Sequence, residues 1–418
     1  MKINQKIQDV IRKRALLTLG ILLFIRIGTF LPVPGINHND LTFYLQTHSI
    51  TRNLVSTFAG DNTFVIGLFT LNIFPYINAS ILMQLITVIS PTLAKLQKEG
   101  DLQGRRKLNR LTRLITLIFA IIQSVSIAFY LKQVLFDWNY MLVIELVFWL
   151  TTGAMIIVWL SEIITDYGLG NGSSLLIYTN IISNLPNLIK AIFFENNSTI
   201  NFFSKIVCVL LIFMSLYGIV FLQQGFRSIP LVSSKQLNQG SLQSLKTDNY
   251  YLPLRFNQAG VMPIILTTTV LVVPTYISNL GLISKINIPP ELNFLKFVYW
   301  IGYFGLILAF SLFYSVIVLN PKDISDQLQR MAVTIPGIRP GIQTTFYLKQ
   351  VMKRISLVGA SLLAIIVIIP NFTESALGIT NLNGLSSTSL LILAGVILDL
   401  IREIENIYYS NIYSDIYS

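Results

Sequence analysis

The chain has 418 residues, 53% of them hydrophobic and only 12% charged, with a formal net charge of +11. Soluble globular chains hold roughly 25% charged residues, and here the apolar residues come in blocks of about 20, the length that crosses a bilayer, so the composition excludes a soluble globular protein and predicts an all-α polytopic membrane protein. The one cysteine, Cys208, allows no internal disulfide and no thiolate metal site, and without a Gly-Lys dipeptide there is no Walker-type phosphate loop; the expectation is a non-enzyme without cofactors, driven by a partner or a gradient.

The N-terminal stretch MKINQKIQDVIRKRALLTLG runs straight into an apolar segment with no small-residue cleavage site, so it is expected to be retained as part of a span. Ten spans are predicted near residues 15–32, 72–91, 111–131, 141–161, 173–194, 205–224, 258–278, 297–319, 355–371 and 385–401. Between the first two, TFAGDNTFVIGLFTL (57–71) is apolar but too short to cross, and Gly60 and Gly67 interrupt it, which predicts a re-entrant or half-inserted segment. The span at 72–91 carries Asn72, Pro75, Asn78, Ser80 and Gln84, and that at 173–194 carries Asn180, Asn184, Pro186, Asn187 and Lys190. Polar groups facing lipid are costly, so both helices belong inside the bundle or beside a wet cavity. Gly168-Leu169-Gly170-Asn171-Gly172 joins two spans, which favours a tight turn over a dinucleotide site, since that fingerprint needs a preceding strand. Short alternating runs in 225–257 predict a hairpin-like excursion.

Counted by connection, 23 of the 30 Lys and Arg fall on the side of the N-terminus and 6 on the other, with Arg26 inside the first span. This positive-inside bias puts both termini and the loop IPGIRPGIQTT (335–345) on the inner side, and argues against one basic patch for nucleic acid. In that loop Pro336 and Pro340 fix φ and Gly337 and Gly341 open turns closed to other residues, so Arg339 is held at a stiff tip. An exposed arginine in a loop is most often a plain surface charge; a rigid fork donor is also a good docking element for a carboxylate or phosphate.

The stretches RIGTFLPVPGI (26–36), IFPYINASILMQL (73–85), LAKLQKEGDLQGRRKLNRLTR (93–113), SEIITDYGLGNGSSLLIY (161–178), GFRSIPLVSSK (225–235), LPLRFNQAGVMP (252–263), NPKDISDQLQRMAVTIPGIRPGIQT (320–344), YLKQVMKRISLVGA (347–360) and TSLLILAGVILD (388–399) follow one another across nearly the whole chain. In this order they resemble the SecY family, the channel subunits of the Sec protein translocase. The resemblance implies ten transmembrane helices in two inverted five-helix halves, 1–195 and 196–418, around a central pore, with a hinge near 195–204 and a re-entrant plug helix at 57–71 that includes Gly60, Phe64, Ile66 and Leu68. It implies an apolar pore ring of Ile73, Ile77, Ile177, Met262, Val270 and Ile392. A lateral gate would lie between helices 72–91 and 111–131 and helices 258–278 and 297–319, with Asn78, Gln123, Thr267 and Thr268 as polar candidates. For each ring or gate residue, ordinary helix packing is the plain alternative.

By the same resemblance, Arg227 and Arg339 meet a SecA motor or a ribosome at the inner loops. Small SecE-type and SecG-type membrane subunits, preprotein substrates and membrane lipid complete the partners, with no direct nucleic-acid contact. Two departures stand out: Asn72, and Ser386 with Ser387, occupy positions where the family usually has glycine. Short outer loops and tails, with a composition rich in Ile, Asn, Lys and Tyr, fit the plastid branch and a thylakoid membrane with both termini stromal; the alternative is a bacterial plasma membrane. The rival function is an ion-coupled secondary transporter, which can share inverted repeats and broken helices. Such proteins use ionisable groups near the midplane, whereas Arg26, Glu145, Glu162, Lys190 and Asp399 lie toward span ends.

Overall fold

The computed structural model describes residues 2–34, 66–90, 102–130, 139–193, 202–233, 251–258, 293–318, 320–377 and 387–417, with isolated residues in 92–96 and 260–270. Among them the elements run α1 (Lys2–Gly28), α2 (Phe74–Ile89), α3 (Leu102–Tyr130), α4 (Tyr140–Tyr167), α5 (Gly172–Phe193), α6 (Phe202–Gln224), β1 (Phe226–Pro230), β2 (Val232–Ser233) and β3 (Tyr251–Arg255). There follow α7 (Asn293–Val318), α8 (Pro321–Arg330), β4 (Val333–Thr334), α9 (Ile342–Leu377) and α10 (Ser387–Tyr417). Nine of the ten predicted spans coincide with these helices. The remaining one, 258–278, is described at only a few residues, of which 262–264, 266, 267 and 270 are helical.

Helix α3 shows why such helices need lipid. Thr116, Ala120 and Ser124, spaced four apart on one face, are all 0% exposed, while Leu114, Ile118 and Ile122 on the other are 60%, 55% and 55% exposed. Small and hydroxyl-bearing residues face protein and large apolar ones face out, the inverse of a water-soluble helix. The hydroxyls are satisfied within the helix: Thr116 Oγ1 donates to the Thr112 carbonyl at 2.7 Å and Ser124 Oγ to the Ala120 carbonyl at 2.6 Å. Within the described residues, stretches of α3, α4 and α9 are long and apolar enough to cross a membrane by themselves.

The chain divides into two compact bodies: residues Met1–Lys190 with Val396–Ser418, and Ala191–Gly395. In the first, α2 packs on α3, and α4 packs on both α3 and α1. The predicted turn at 168–172 is present. The Gly168 amide closes α4 on the Ile164 carbonyl at 2.8 Å, Gly170 takes φ +82°, and Asn171 Oδ1 accepts from the Ser173 amide to cap α5.

The stretch predicted as a short re-entrant helix differs where it is described. Residues 66–71 form turns, not helix. Pro32 and Gly67 make an antiparallel bridge, flanked by Val33 N–H to the Ile66 carbonyl at 3.1 Å and Leu68 N–H to the Leu31 carbonyl at 2.9 Å. The backbones can approach because two side chains are missing. A Cβ at Gly67 would lie 2.1 Å from the Thr29 carbonyl oxygen, and one at Gly153 of α4 would lie 2.0 Å from that of Leu68. These inter-segment bonds and contacts hold the stretch against the end of α1 and the middle of α4 in place of a helical ladder. The run ends at Asn72, with φ +49°. Among residues with a Cβ, asparagine tolerates the left-handed region best, which explains how a residue other than glycine holds this turn. Of the second departure, Ser387 opens α10 and Ser386 lies outside the described residues.

In the second body α6 and α7 pack on α9 around Ile219, Leu222, Ile307, Leu363 and Val367. The predicted hairpin-like excursion is a ribbon: β1 pairs antiparallel with β3, Arg227 opposite Leu254. A second, two-residue pairing joins β2 to β4, Val232 opposite Thr334.

Candidate functional site

A separate small core builds the loop that carries Arg339. Ile229 and Leu254 of the ribbon, Leu328 of α8, Ile335, and Leu348, Val351, Met352 and Ile355 at the start of α9 bury one another. Helix α8 is started by Asn320, whose side chain accepts from the Lys322 amide at 3.1 Å, with Pro321 in its first turn. β4 then leads into the loop. The Ile338 amide donates to the Ile335 carbonyl at 3.1 Å across Pro336 and Gly337, the latter at φ +78°, which is a type II turn. Thr344 Oγ1 donates to the Arg339 carbonyl at 2.8 Å, and Ser325 Oγ of α8 to the Gly341 carbonyl at 3.0 Å, with Gly341 at φ +101°. Every bond that fixes the tip uses backbone acceptors, so the Arg339 side chain is left exposed on a rigid base. Arg227 is also exposed, on β1 of the same body.

The apolar ring candidates divide between the bodies. Ile73, Ile77 and Ile177 lie in the first; Ile73 and Ile77 are buried one turn apart, the Ile77 amide donating to the Ile73 carbonyl at 3.1 Å, and Ile177 is half-buried on α5. Met262, Val270 and Ile392 lie in the second, Met262 and Ile392 half-buried and Val270 exposed. Of the plug candidates, Ile66 is fully buried and Leu68 half-buried in the fixed stretch described above, while Gly60 and Phe64 lie outside the described residues.

Among the gate candidates Asn78 and Gln123 are half-buried on α2 and α3, which pack together, and the Oε1 of Gln123 is buried without a hydrogen-bond partner. Thr267 is fully buried and its hydroxyl donates to the Pro263 carbonyl at 2.7 Å, so it serves its own helix; Thr268 lies outside the described residues.

One ion pair was hidden in the sequence. The basic 92–113 stretch reads as a solvated face, yet Arg113 Nε and Nη2 grip Glu162 Oε1 and Oε2 at 2.8 and 2.6 Å, clamping α3 to α4. The partners are 49 residues apart, a spacing with no local signal. Among the described residues no group of His, Cys, Asp or Glu converges as a metal site.

A helical bundle of inside-out spans, two bodies and a rigid basic loop narrows the fold, and family comparison decides it. The SecY family profile matches residues 67–401. The chain belongs to the SecY family. It is 60% identical over 418 residues to the protein translocase subunit SecY of Trieres chinensis, covering 98% of both chains, and 40% identical to that of Guillardia theta, again covering 98% of both. The SecY of a Synechocystis strain is 37% identical over 96% of this chain and 93% of its own. Among solved structures, a protein-conducting channel aligns with a TM-score of 0.62 at 16% identity, covering 95% of this chain and 93% of that one. Sec61 in a canine ribosome-channel complex aligns with a TM-score of 0.59 at 15% identity over 95% and 93%. At such identity these two speak for the SecY-type fold, and the sequence relatives carry the family.

Proposed function

We propose that this chain is the central subunit of a plastid Sec translocase, conducting unfolded preproteins across the thylakoid membrane and releasing apolar segments sideways into lipid. The observation that carries this is the family match along 67–401, joined by relatives that align over nearly their full length. SecY membership sets aside the ion-coupled transporter. The three carboxylates described in α4 agree: Glu162 is engaged by Arg113, Glu145 is exposed beside Trp149, and Asp166 is exposed one residue from the helix end. The channel is passive and non-catalytic; a SecA motor or a ribosome supplies the push by docking at Arg227 and Arg339.

In this reading the halves 1–195 and 196–418 hinge near 195–204, and a SecE-type subunit, with a SecG-type one, braces them. The apolar ring of Ile73, Ile77, Ile177, Met262, Val270 and Ile392 closes the pore together with the plug, and Asn78 and Gln123 line the lateral gate. Both termini are stromal.

Function and orientation are tested separately. A preprotein arrested in mid-transport should crosslink to a photoreactive residue at Ile177 or Met262 and not to one at Leu114, on the outward face of α3; equal crosslinking at all three would remove the pore assignment. With Cys208 replaced by serine, a membrane-impermeant thiol reagent on the stromal side should label a cysteine at Gln343 and spare one at Asn383. The reverse pattern would invert the topology.

A further inference from the structure

The ribbon ends at Arg255 and described helical residues resume at Met262, so six residues, 256–261, link them, and the second body holds the described ones, 256–258 and 260, at several points. The Phe256 amide donates to the Gly225 carbonyl at 3.0 Å, so the linker starts where the ribbon closes. Its carbonyl lies against the backbone of α9: a Cβ at Gly359 would sit 2.1 Å from the Phe256 oxygen. Asn257 Nδ2 donates to the Gly260 carbonyl at 3.0 Å, with Gly260 at φ +64°. Gln258 reaches between two membrane helices, where its Oε1 accepts from Ser315 Oγ of α7 at 3.0 Å, and Ser315 is hydrogen-bonded in turn to Ser356 Oγ of α9.

A hydroxyl has one proton. If Ser315 gives its proton to Gln258, Ser356 must give its own to Ser315, so the chain runs Ser356 to Ser315 to Gln258. Ser315 and Ser356 are only 4% and 3% exposed. Serines on apolar helices commonly bond back to their own i−3 or i−4 carbonyls. Here two of them turn outward to hold a third element. A buried chain of this kind fixes register, because a shift of any member would strand the two hydroxyls and the Gln258 Oε1, whereas the Gln258 Nε2 is buried without a hydrogen-bond partner already.

We infer that Gln258, Ser315 and Ser356 are positioning residues that lock the start of the helix at 262 to α7 and α9, so that a partner docked on the ribbon and the Arg339 loop moves that helix as one piece with its platform. Six residues span at most about 22 Å even if fully extended, which leaves little slack once the Gln258 side chain is pinned. This inference rests on the proposed channel function, and deepens it by naming the groups that couple docking to opening.

The experiment uses the full chain with its small subunits in proteoliposomes, and SecA as the docking probe. Three quantities are read: SecA affinity, potassium conductance induced by SecA in the absence of preprotein, and preprotein transport. Ser356→Ala and the near-isosteric Gln258→Met are expected to leave SecA affinity within about twofold, and to cut induced conductance and transport about tenfold, a usual size for coupling between sites. Ser356→Thr, which keeps the hydroxyl, should restore at least about half of both. Conductance and transport unchanged in Ser356→Ala combined with Gln258→Met would overturn the inference. So would a fall in SecA affinity that parallels the loss of transport, since the residues would then serve only the folding of the platform. A wild-type complex without any SecA-induced conductance would instead strike the channel reading itself.

Discussion

Replacing Arg339 with glutamate will cut preprotein transport by at least about tenfold while the chain still inserts and folds. The loop is stiffened by the Pro336-Gly337 turn and by hydroxyls of Thr344 and Ser325 that bond backbone carbonyls, so the fold does not depend on the arginine side chain. What changes is the group presented. A charge-assisted hydrogen bond contributes about 1.5–3 kcal/mol, and each 1.4 kcal/mol is about tenfold in affinity. Reversal to a carboxylate removes that contribution and adds repulsion toward an acidic docking group. A stiff display sharpens the loss, because little entropy was spent on ordering the tip and none can be recovered by letting it wander. Transport into proteoliposomes at matched channel density is the measurement; a rate equal to wild type would reduce the loop to a structural turn.

Ile77→Asn together with Ile177→Asn should make resting channels leak potassium by at least about tenfold over wild type in planar bilayers. A narrow apolar constriction excludes ions by dewetting, without any charged gate, and two amides in its wall give water a hydrogen-bonded path. Both positions are on helices of the first body, α2 and α5, so the substitutions leave the ribbon, α8 and the Arg339 loop untouched. Removal of residues 57–65 should add to the leak. The cut has to stop there: a deletion of 60–68 would also take Ile66, Gly67 and Leu68, whose bonds to Leu31 and Val33 belong to the body of the fold. A folded double variant as tight as wild type would remove Ile77 and Ile177 from the ring.

Hydropathy made the spans legible, and it failed where helices leave lipid. α1 begins at Lys2, α3 at Leu102 and α9 at Ile342, and α10 runs to Tyr417, all well outside the apolar windows. Their ends are basic or amphipathic, and a helix already nucleated in the membrane extends at one hydrogen bond per residue. The ribbon was readable from its alternation, whereas the two-residue pairing of β2 with β4 unites positions about a hundred residues apart and leaves no local trace. The stiff tip of Arg339 was legible because proline and glycine state their backbone geometry outright. Hydroxyl side chains state nothing of the kind. Thr267, a gate candidate by resemblance, bonds to its own helix, and Ser315 and Ser356, which look like ordinary packing residues, bond across helices. Only the rotamer separates the two cases, and the rotamer is decided by neighbours far away in the chain.

The bridge between Pro32 and Gly67 bears on how the proposed channel reseals. It anchors residues 66–68, the described end of the proposed plug, to the first body, so a plug formed by 57–71 would be a ligand that never leaves its receptor. Its return is an intramolecular encounter, at an effective concentration on the order of millimolar for short connections. A seat with an intrinsic dissociation constant of about a millimolar is then already about half filled, and one tenfold tighter about nine-tenths filled. Tethering lets a weak seat keep the closed state well populated between transport events. A weak seat is also one that an arriving preprotein segment can displace, so tightness at rest and ease of opening need not be traded against each other.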